Sequence, residues 1–145
     1  MNIGIPVERR PFEYRVGMSP AGVEILVQRG HSVFVEHEAG KASGFADHQY
    51  EHAGASLVYS AREVFGRADM VLKLARPLLD EITWMNPGAT LLGFLQLASA
   101  REDRINALLE NKITAIAYEQ ITSADGSFPV LKPLSQIGGL LSGQI

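Results

Sequence analysis

MVLKLARPLLDEITWMNPGATLLGFL, residues 70–95, contains two apolar segments on either side of a more polar one. Met70–Leu74 and Ala89–Leu95 read as strands of a parallel sheet, since such strands are buried on both faces and are therefore apolar. Pro77–Met85 between them is expected to be a helix, closed by the breaker sequence Asn86-Pro87-Gly88. Strand, helix and strand in this order predict a parallel βαβ unit.

The same alternation extends along the rest of the chain. Ser19 before Pro20 predicts a helix start, and Gly30 predicts its left-handed end. Strands are expected at Asn2–Pro6, His31–Glu36, Ala55–Val58 and Ile113–Ala117, and helices at Pro20–Arg29, after the caps Asp47, Ser60 and Ser99, and from Leu134. The predicted fold is therefore α/β: a Rossmann-like (flavodoxin-like), mostly parallel sheet with helices on both faces.

The composition excludes several classes of protein. The chain has 145 residues, 46% of them hydrophobic, and a net charge of −3, which excludes a disordered chain. The absence of cysteine excludes disulfides and thiolate sites, and the lack of a basic block argues against nucleic acid as a partner. The sequence contains neither G-x-G-x-x-G nor a P-loop, so it predicts no phosphate cradle despite its 14 glycines.

Polar side chains follow several of the predicted strands. Ligands of open α/β sheets bind at the carboxyl ends of the strands, where Arg15, Lys73, Gln96 and Tyr118-Glu119 are expected. Two cations in this set favour a small anionic ligand. Lys73 is the most informative, because a lysine inside an apolar strand requires a partner or a ligand, unless it extends to water from the strand end. Arg15 either binds a carboxylate or pairs with Glu13 or Glu8 in its own loop.

His48-Gln49-Tyr50-Glu51-His52 matches the H-x-x-E-H zinc-protease pattern. The predicted helix is short, however, and no third ligand is evident. We therefore expect a solvated helix face and no metal site.

An ordered set of motifs resembles one protein family over essentially the whole chain. The motifs are Met1–Pro6, Glu13–Val16, Ser19–Val23, Arg29–His31, Gly40, Ala53–Ala55, Ala68-Asp69, Val71–Lys73, Pro77, Phe94-Leu95, Leu97-Ala98, Ala117–Glu119, Asp125-Gly126 and Pro133–Ser135. They resemble the N-terminal substrate domain of the alanine dehydrogenase and nicotinamide nucleotide transhydrogenase alpha-subunit family, closer to alanine dehydrogenase.

The resemblance implies an NAD-dependent oxidoreductase that converts L-alanine to pyruvate and ammonium. Arg15 would bind the substrate carboxylate, and Lys73 would contact the substrate carbonyl or imine as a catalytic group. Leu134 would lie near the substrate and Ser135 near the cofactor. Residues 1–132 would form the substrate domain. Residues 133–145 would begin a helix that leads to an NAD-binding domain outside this chain, so that a fragment ending here would be inactive and would bind NAD poorly.

Two positions depart from the family pattern. Gln96 stands where alanine dehydrogenases carry a catalytic histidine in Phe-x-His-Leu-Ala, and glutamine cannot exchange a proton as histidine does. Ala75-Arg76 replaces a frequent Lys-Glu, which changes the charge beside the site. Two alternatives therefore stay open: a domain of a proton-translocating transhydrogenase alpha subunit, and a non-catalytic homologue that binds a small ligand.

The partners and the cellular location follow from the same patterns. A small amino acid or 2-oxo acid is the expected ligand. No membrane segment and no secretory signal are present in the sequence, which favours a cytoplasmic protein. Ile137, Leu140, Leu141 and Ile145 fall on one stripe of the last predicted helix, and this uncovered apolar stripe, with the oligomeric state of the family, favours a homo-oligomer.

Overall fold

A computed structural model describes residues 1–143. The strands are β1 (Asn2–Ile5), β2 (Ser32–Glu36), β3 (Ser56–Val58), β4 (Met70–Ala75), β5 (Thr90–Phe94) and β6 (Thr114–Ala117). The α-helices are α1 (Pro20–Gln28), α2 (Asp47–His52), α3 (Ala61–Arg67), α4 (Leu79–Trp84), α5 (Glu102–Glu110) and α6 (Leu131–Ser142). Short 3₁₀ turns lie at Lys41–Ser43, Leu97–Ser99 and Tyr118–Gln120.

The six strands form one parallel sheet in the order β3-β2-β1-β4-β5-β6. β1 lies at the centre, where Ile3 is in register with Val33 on one side and with Met70 on the other. This confirms the α/β, Rossmann-like prediction. The narrower flavodoxin-like label is corrected, because the first strand of a flavodoxin-like sheet is followed across the sheet by the third, whereas here the order is that of the Rossmann fold.

Helices cover both faces of the sheet, as predicted. Side chains alternate between the two faces along a strand, so Val71 and Leu72 enter different cores. Leu72 packs with Val23 of α1 and Tyr50 of α2, whereas Val71 packs with Phe65 of α3 and with residues of α4 and α5. The carboxyl edge of the sheet between these two layers is left to loops.

The helix boundaries were predicted well where a cap was identified correctly. The Ser19 side chain accepts a hydrogen bond from the Gly22 N–H at 3.3 Å, and Gly30 after α1 has a φ of +84°. Ser60 caps α3 in the same way as Ser19 caps α1. Two predicted caps were wrong, since α2 begins at Asp47 itself and Ser99 lies in a 3₁₀ turn before α5, which begins at Glu102.

The last helix, α6, begins at Leu131, three residues before the predicted start at Leu134. None of its described residues is buried, and Ile137, Leu140 and Leu141 are all largely exposed. Ile145, the last member of the predicted stripe, lies outside the described residues. Among residues 1–143, no helix has the length and apolar character needed to cross a membrane.

Candidate functional site

The loop between β1 and α1, residues 6–19, crosses the carboxyl edge of the sheet. Its Glu8 carboxylate accepts a hydrogen bond from the Leu74 N–H at 2.6 Å, and its Val7 N–H donates to Glu36 at 2.8 Å. At Gly17 the loop backbone lies directly on β4, so that a Cβ there would collide with the Leu72 carbonyl. These contacts hold the following polar part of the loop over the ends of the central strands.

A cavity of about 330 Å³ opens at this edge of the sheet. Its walls are formed by the β1–α1 loop, the end of β4 and the end of β5. The lining residues are Arg10, Pro11, Glu13, Arg15, Leu74, Ala75, Arg76, Phe94 and Gln96. The structure thus brings together two of the residues predicted from the sequence, Arg15 and Gln96, and the volume suits a small molecule.

Arg15 is paired with Glu13 through two parallel hydrogen bonds. Its Nε and Nη2 donate to the two carboxylate oxygens at 2.8 Å and 2.7 Å. The Arg15 guanidinium holds the pKa of Glu13 below its ordinary value, and the hydrogen bond to Glu13 raises the pKa of Arg15. This is the loop pairing considered as the alternative for Arg15, and it places a carboxylate on the arginine within the cavity wall.

Lys73 is buried, with a side chain only 1% exposed. Its ammonium donates a hydrogen bond to Glu81 Oε1 at 3.3 Å and forms an ion pair with Glu8 Oε2 at 3.1 Å. The expectation that this lysine needs a partner is therefore confirmed, and the alternative of a side chain that extends to water is wrong. Lys73 itself does not line the cavity, although the three residues after it do.

Gln96 has an unusual backbone conformation, with a φ of +50°. A non-glycine residue with positive φ is uncommon and is held by its surroundings. Here the Gln96 N–H donates to Glu119 Oε1 at 2.5 Å, and its side-chain oxygen accepts a hydrogen bond from Arg76. The side chain is consequently fixed in the cavity wall by an arginine.

Arg10 and Arg76 are site residues that the sequence reasoning missed as cavity groups. Arg10 Nε donates to the Arg76 carbonyl at 2.8 Å, so the two half-buried arginines lie side by side. Burial lowers the pKa of Arg10, and the nearby charges of Arg76 and Arg104 lower it further. The available signal was one arginine in the loop that follows β1 and one directly after β4, because both segments lie at the predicted ligand edge.

The remaining predicted residues lie outside the cavity lining. Tyr118 follows β6 and packs edge-to-face on Phe94, with ring centroids 5.4 Å apart, and burial raises its pKa. Leu134 and Ser135 lie in the first turns of α6, half-buried and exposed respectively.

His48 and His52 lie on α2 with ring centroids 6.0 Å apart. The part of the chain that the structure describes contains no group of three or more His, Asp or Glu side chains able to hold a metal ion.

The fold and the cavity define a class: a Rossmann-like domain with an arginine-lined site at its carboxyl edge. Residues 4–138 match the family described as "Alanine dehydrogenase/PNT, N-terminal domain". The chain belongs to this family. It is 44% identical over 145 residues to the alanine dehydrogenase of Geobacillus stearothermophilus and 43% identical to that of Methanococcus maripaludis. Each match covers 100% of this chain and 39% of the relative.

Solved structures agree with this assignment. An L-alanine dehydrogenase matches with a TM-score of 0.93 and 44% identity, over 99% of this chain and 39% of that one. A transhydrogenase from Sinorhizobium meliloti matches with a TM-score of 0.75 and 33% identity, over 82% of this chain and 34% of that one. The chain thus spans about two fifths of the length of the relatives it matches, and both predicted branches of the family are represented.

Proposed function

We propose that this chain is the substrate-binding domain of an alanine dehydrogenase-like oxidoreductase, in which the cavity binds the carboxylate of an amino acid or 2-oxo acid. The observation that carries the proposal is the cavity itself, where Arg15 meets Arg10 and Arg76 at the carboxyl edge of the sheet. Arginine binds carboxylates through two parallel hydrogen bonds. Arg15 already holds Glu13 in this geometry, so the substrate carboxylate would replace or share that partner.

The proposed reaction is the reversible oxidative deamination of the amino acid. Amino acid, NAD⁺ and water give 2-oxo acid, ammonium, NADH and a proton. The chemistry that NAD would supply when bound is that of a hydride acceptor. The residues of this chain do not fit the dinucleotide, because β1 is followed by residues 6–19 instead of a glycine-rich turn into a helix. We therefore place NAD binding, with a weak contribution from Ser135, outside the cavity of this domain.

In the proposed reaction, Gln96 cannot serve as the proton-transfer group. Gln96 can donate and accept hydrogen bonds but cannot take up a proton at neutral pH. Its oxygen is engaged by Arg76, which leaves its amide N–H groups for a substrate oxygen. We propose a positioning role for Gln96 toward the substrate, and for Lys73 the carbonyl or imine contact that the family resemblance implies. That contact requires Lys73 to leave Glu8 or Glu81.

The decisive assay measures alanine-dependent NADH formation by the protein at its natural length. Arg15→Ala is expected to raise KM for the acid by about 10- to 100-fold, since it removes a charge-assisted pair of hydrogen bonds. Arg29→Ala, an exposed arginine at the opposite edge of the sheet, is the matched control and should leave KM unchanged. Absence of turnover with alanine, glycine and every 2-oxo acid plus ammonium would reject the dehydrogenase.

A second candidate is a transhydrogenase alpha-subunit domain, which the glutamine at position 96 favours because no substrate proton shuttle is then required. Hydride transfer between two nicotinamide nucleotides, without any amino acid, would identify it in the same assay. A binding module without chemistry would bind 2-oxo acids in an Arg15-dependent way and would gain no turnover from Gln96→His. For the dehydrogenase we also propose a homo-oligomer in the cytoplasm, testable by light scattering and by fractionation.

A further inference from the structure

The cavity holds more positive charge than a single carboxylate requires. Arg10, Arg15 and Arg76 line it, against the one carboxylate of Glu13, which Arg15 already binds. Among residues 1–143, an acidic side chain lies within 4.0 Å of Arg9, Arg15, Arg67 and Arg101 but not of Arg29, Arg62 or Arg104. In this same range neither Arg10 nor Arg76 has such a partner.

The acidic groups next to the cavity compensate this charge only in part, because burial and the neighbouring arginines lower the pKa of Arg10 by more than Glu81 and Glu8 raise it. Glu8 and Glu81 are both directed to the Lys73 ammonium, and each also accepts a main-chain N–H, of Leu74 and Leu78 respectively. Arg76 donates to the neutral oxygen of Gln96, and among residues 1–143 no carboxylate lies within 4.0 Å of its guanidinium. Half-buried charges of one sign repel each other. Burial lowers the pKa of Arg10 most, and repulsion by Arg76 and Arg104 lowers it further.

The geometry points to a substrate with two carboxylates, a small dicarboxylic amino acid or 2-oxo acid, in which Arg15 holds the carboxylate beside the reacting carbon and Arg76, with Arg10, holds the distal one. This inference rests on the proposed function and specifies its substrate class. Arg76 is a specificity-determining residue in this assignment, and Gln96 directs its guanidinium. A second anion would neutralise the pair of adjacent arginines, which a monocarboxylate such as pyruvate cannot do.

The test compares acids of equal chain length that differ in the distal carboxylate. Reductive amination with NADH and ammonium is measured for 2-oxoglutarate against 2-oxopentanoate, and for oxaloacetate against 2-oxobutanoate, using the protein at its natural length. Each dicarboxylate is expected to have the higher kcat/KM, by roughly 10- to 100-fold, as for an added charge-assisted hydrogen bond. Arg76→Ala should abolish this ratio, Arg76→Lys should keep part of it, and Arg29→Ala should leave it intact.

The outcomes separate this inference from the proposed function. Turnover with equal efficiency for both members of each pair, or an equal effect of Arg76→Ala on both, overturns the dicarboxylate assignment and leaves the dehydrogenase standing. If no acid is turned over, the dehydrogenase fails, and calorimetric titration with the same four acids decides the inference. Tighter binding of the dicarboxylates that depends on Arg76 then supports it, and equal or absent binding overturns it. The Arg76 main-chain carbonyl that holds Arg10 is retained in both variants.

Discussion

Lys73→Met is expected to destabilise the fold severely, because it removes the cation between two buried carboxylates. The side chains of Glu8, Lys73 and Glu81 are each 1% exposed, and both carboxylates lie within 3.3 Å of the ammonium. Breaking a buried ion pair by removing one partner costs about 3–5 kcal/mol, since the remaining charge loses its close counterion in a site that water does not reach. Here two charges of the same sign would remain, so the free energy of unfolding should fall by at least the upper part of that range.

Urea denaturation measures this loss directly. Trp84, the single tryptophan, packs edge-to-face on Phe65 at 6.0 Å and reports on the same core layer by its fluorescence. For a slope of about 2 kcal/mol per M, a loss of about 4 kcal/mol lowers the midpoint by about 2 M. Circular dichroism should show the same transition if unfolding has two states.

The control is the same substitution in an exposed ion pair. Lys41 lies 2.5 Å from Glu38 at the surface, and Lys41→Met should leave the midpoint unchanged within error because water screens such pairs. Adding Glu81→Gln to Lys73→Met should recover part of the loss, since one uncompensated charge disappears. A midpoint shift of Lys73→Met no larger than that of Lys41→Met would refute the account of the buried charges.

Three further outcomes are expected. Gly17→Ala should lower the free energy of unfolding, measured in urea, by roughly 1–3 kcal/mol, because the loop must move off the sheet. Gly138→Ala should raise the same free energy by roughly 0.5–1 kcal/mol, because the space at its Cβ is open. In an alkaline absorbance titration, Tyr50→Phe should remove one phenol, whose pKa burial raises to about 12. The loss of its hydrogen bond to the Met18 carbonyl should lower the free energy of unfolding by about 1 kcal/mol. In an NMR titration, Arg15→Gln should return the lowered pKa of Glu13 toward 4.5; the stabilisation from this pair is present above pH 4.5 and is lost as the pH falls through the lowered value.

The sheet was predictable because its strands are apolar on both faces and its helices carry readable caps. Met70–Leu74 and Ala89–Leu95 lie within one residue of β4 and β5 as observed. The strand order was not readable in the same way, since apolar runs do not specify which strands are neighbours. Ser99 shows the limit of cap signals, because the chain first forms a 3₁₀ turn after the strained Gln96 and begins α5 only at Glu102.

The site was partly predictable from the rule that ligands bind at the carboxyl edge. The rule placed Arg15 and Gln96 in the cavity, since each follows a central strand. It could not foresee that Lys73 would turn into the core toward Glu8 and Glu81, because both carboxylates come from other segments of the chain. The Arg10–Arg76 contact was hidden for the same reason, as 66 residues separate the two.

The central place of β1 has a consequence for how the chain folds. β1 joins the β2–β3 half of the sheet to the β4–β6 half. Met70 of β4, which is in register with Ile3, is nevertheless synthesised only after three intervening α-helices and two strands. Pairing over such sequence distances is entropically slow. During synthesis on the ribosome, β1 can join β2 early but must keep its other edge free until β4 emerges. Mutations that weaken β1 should therefore reduce the yield of folded protein in cells more than their effect on equilibrium stability alone would indicate.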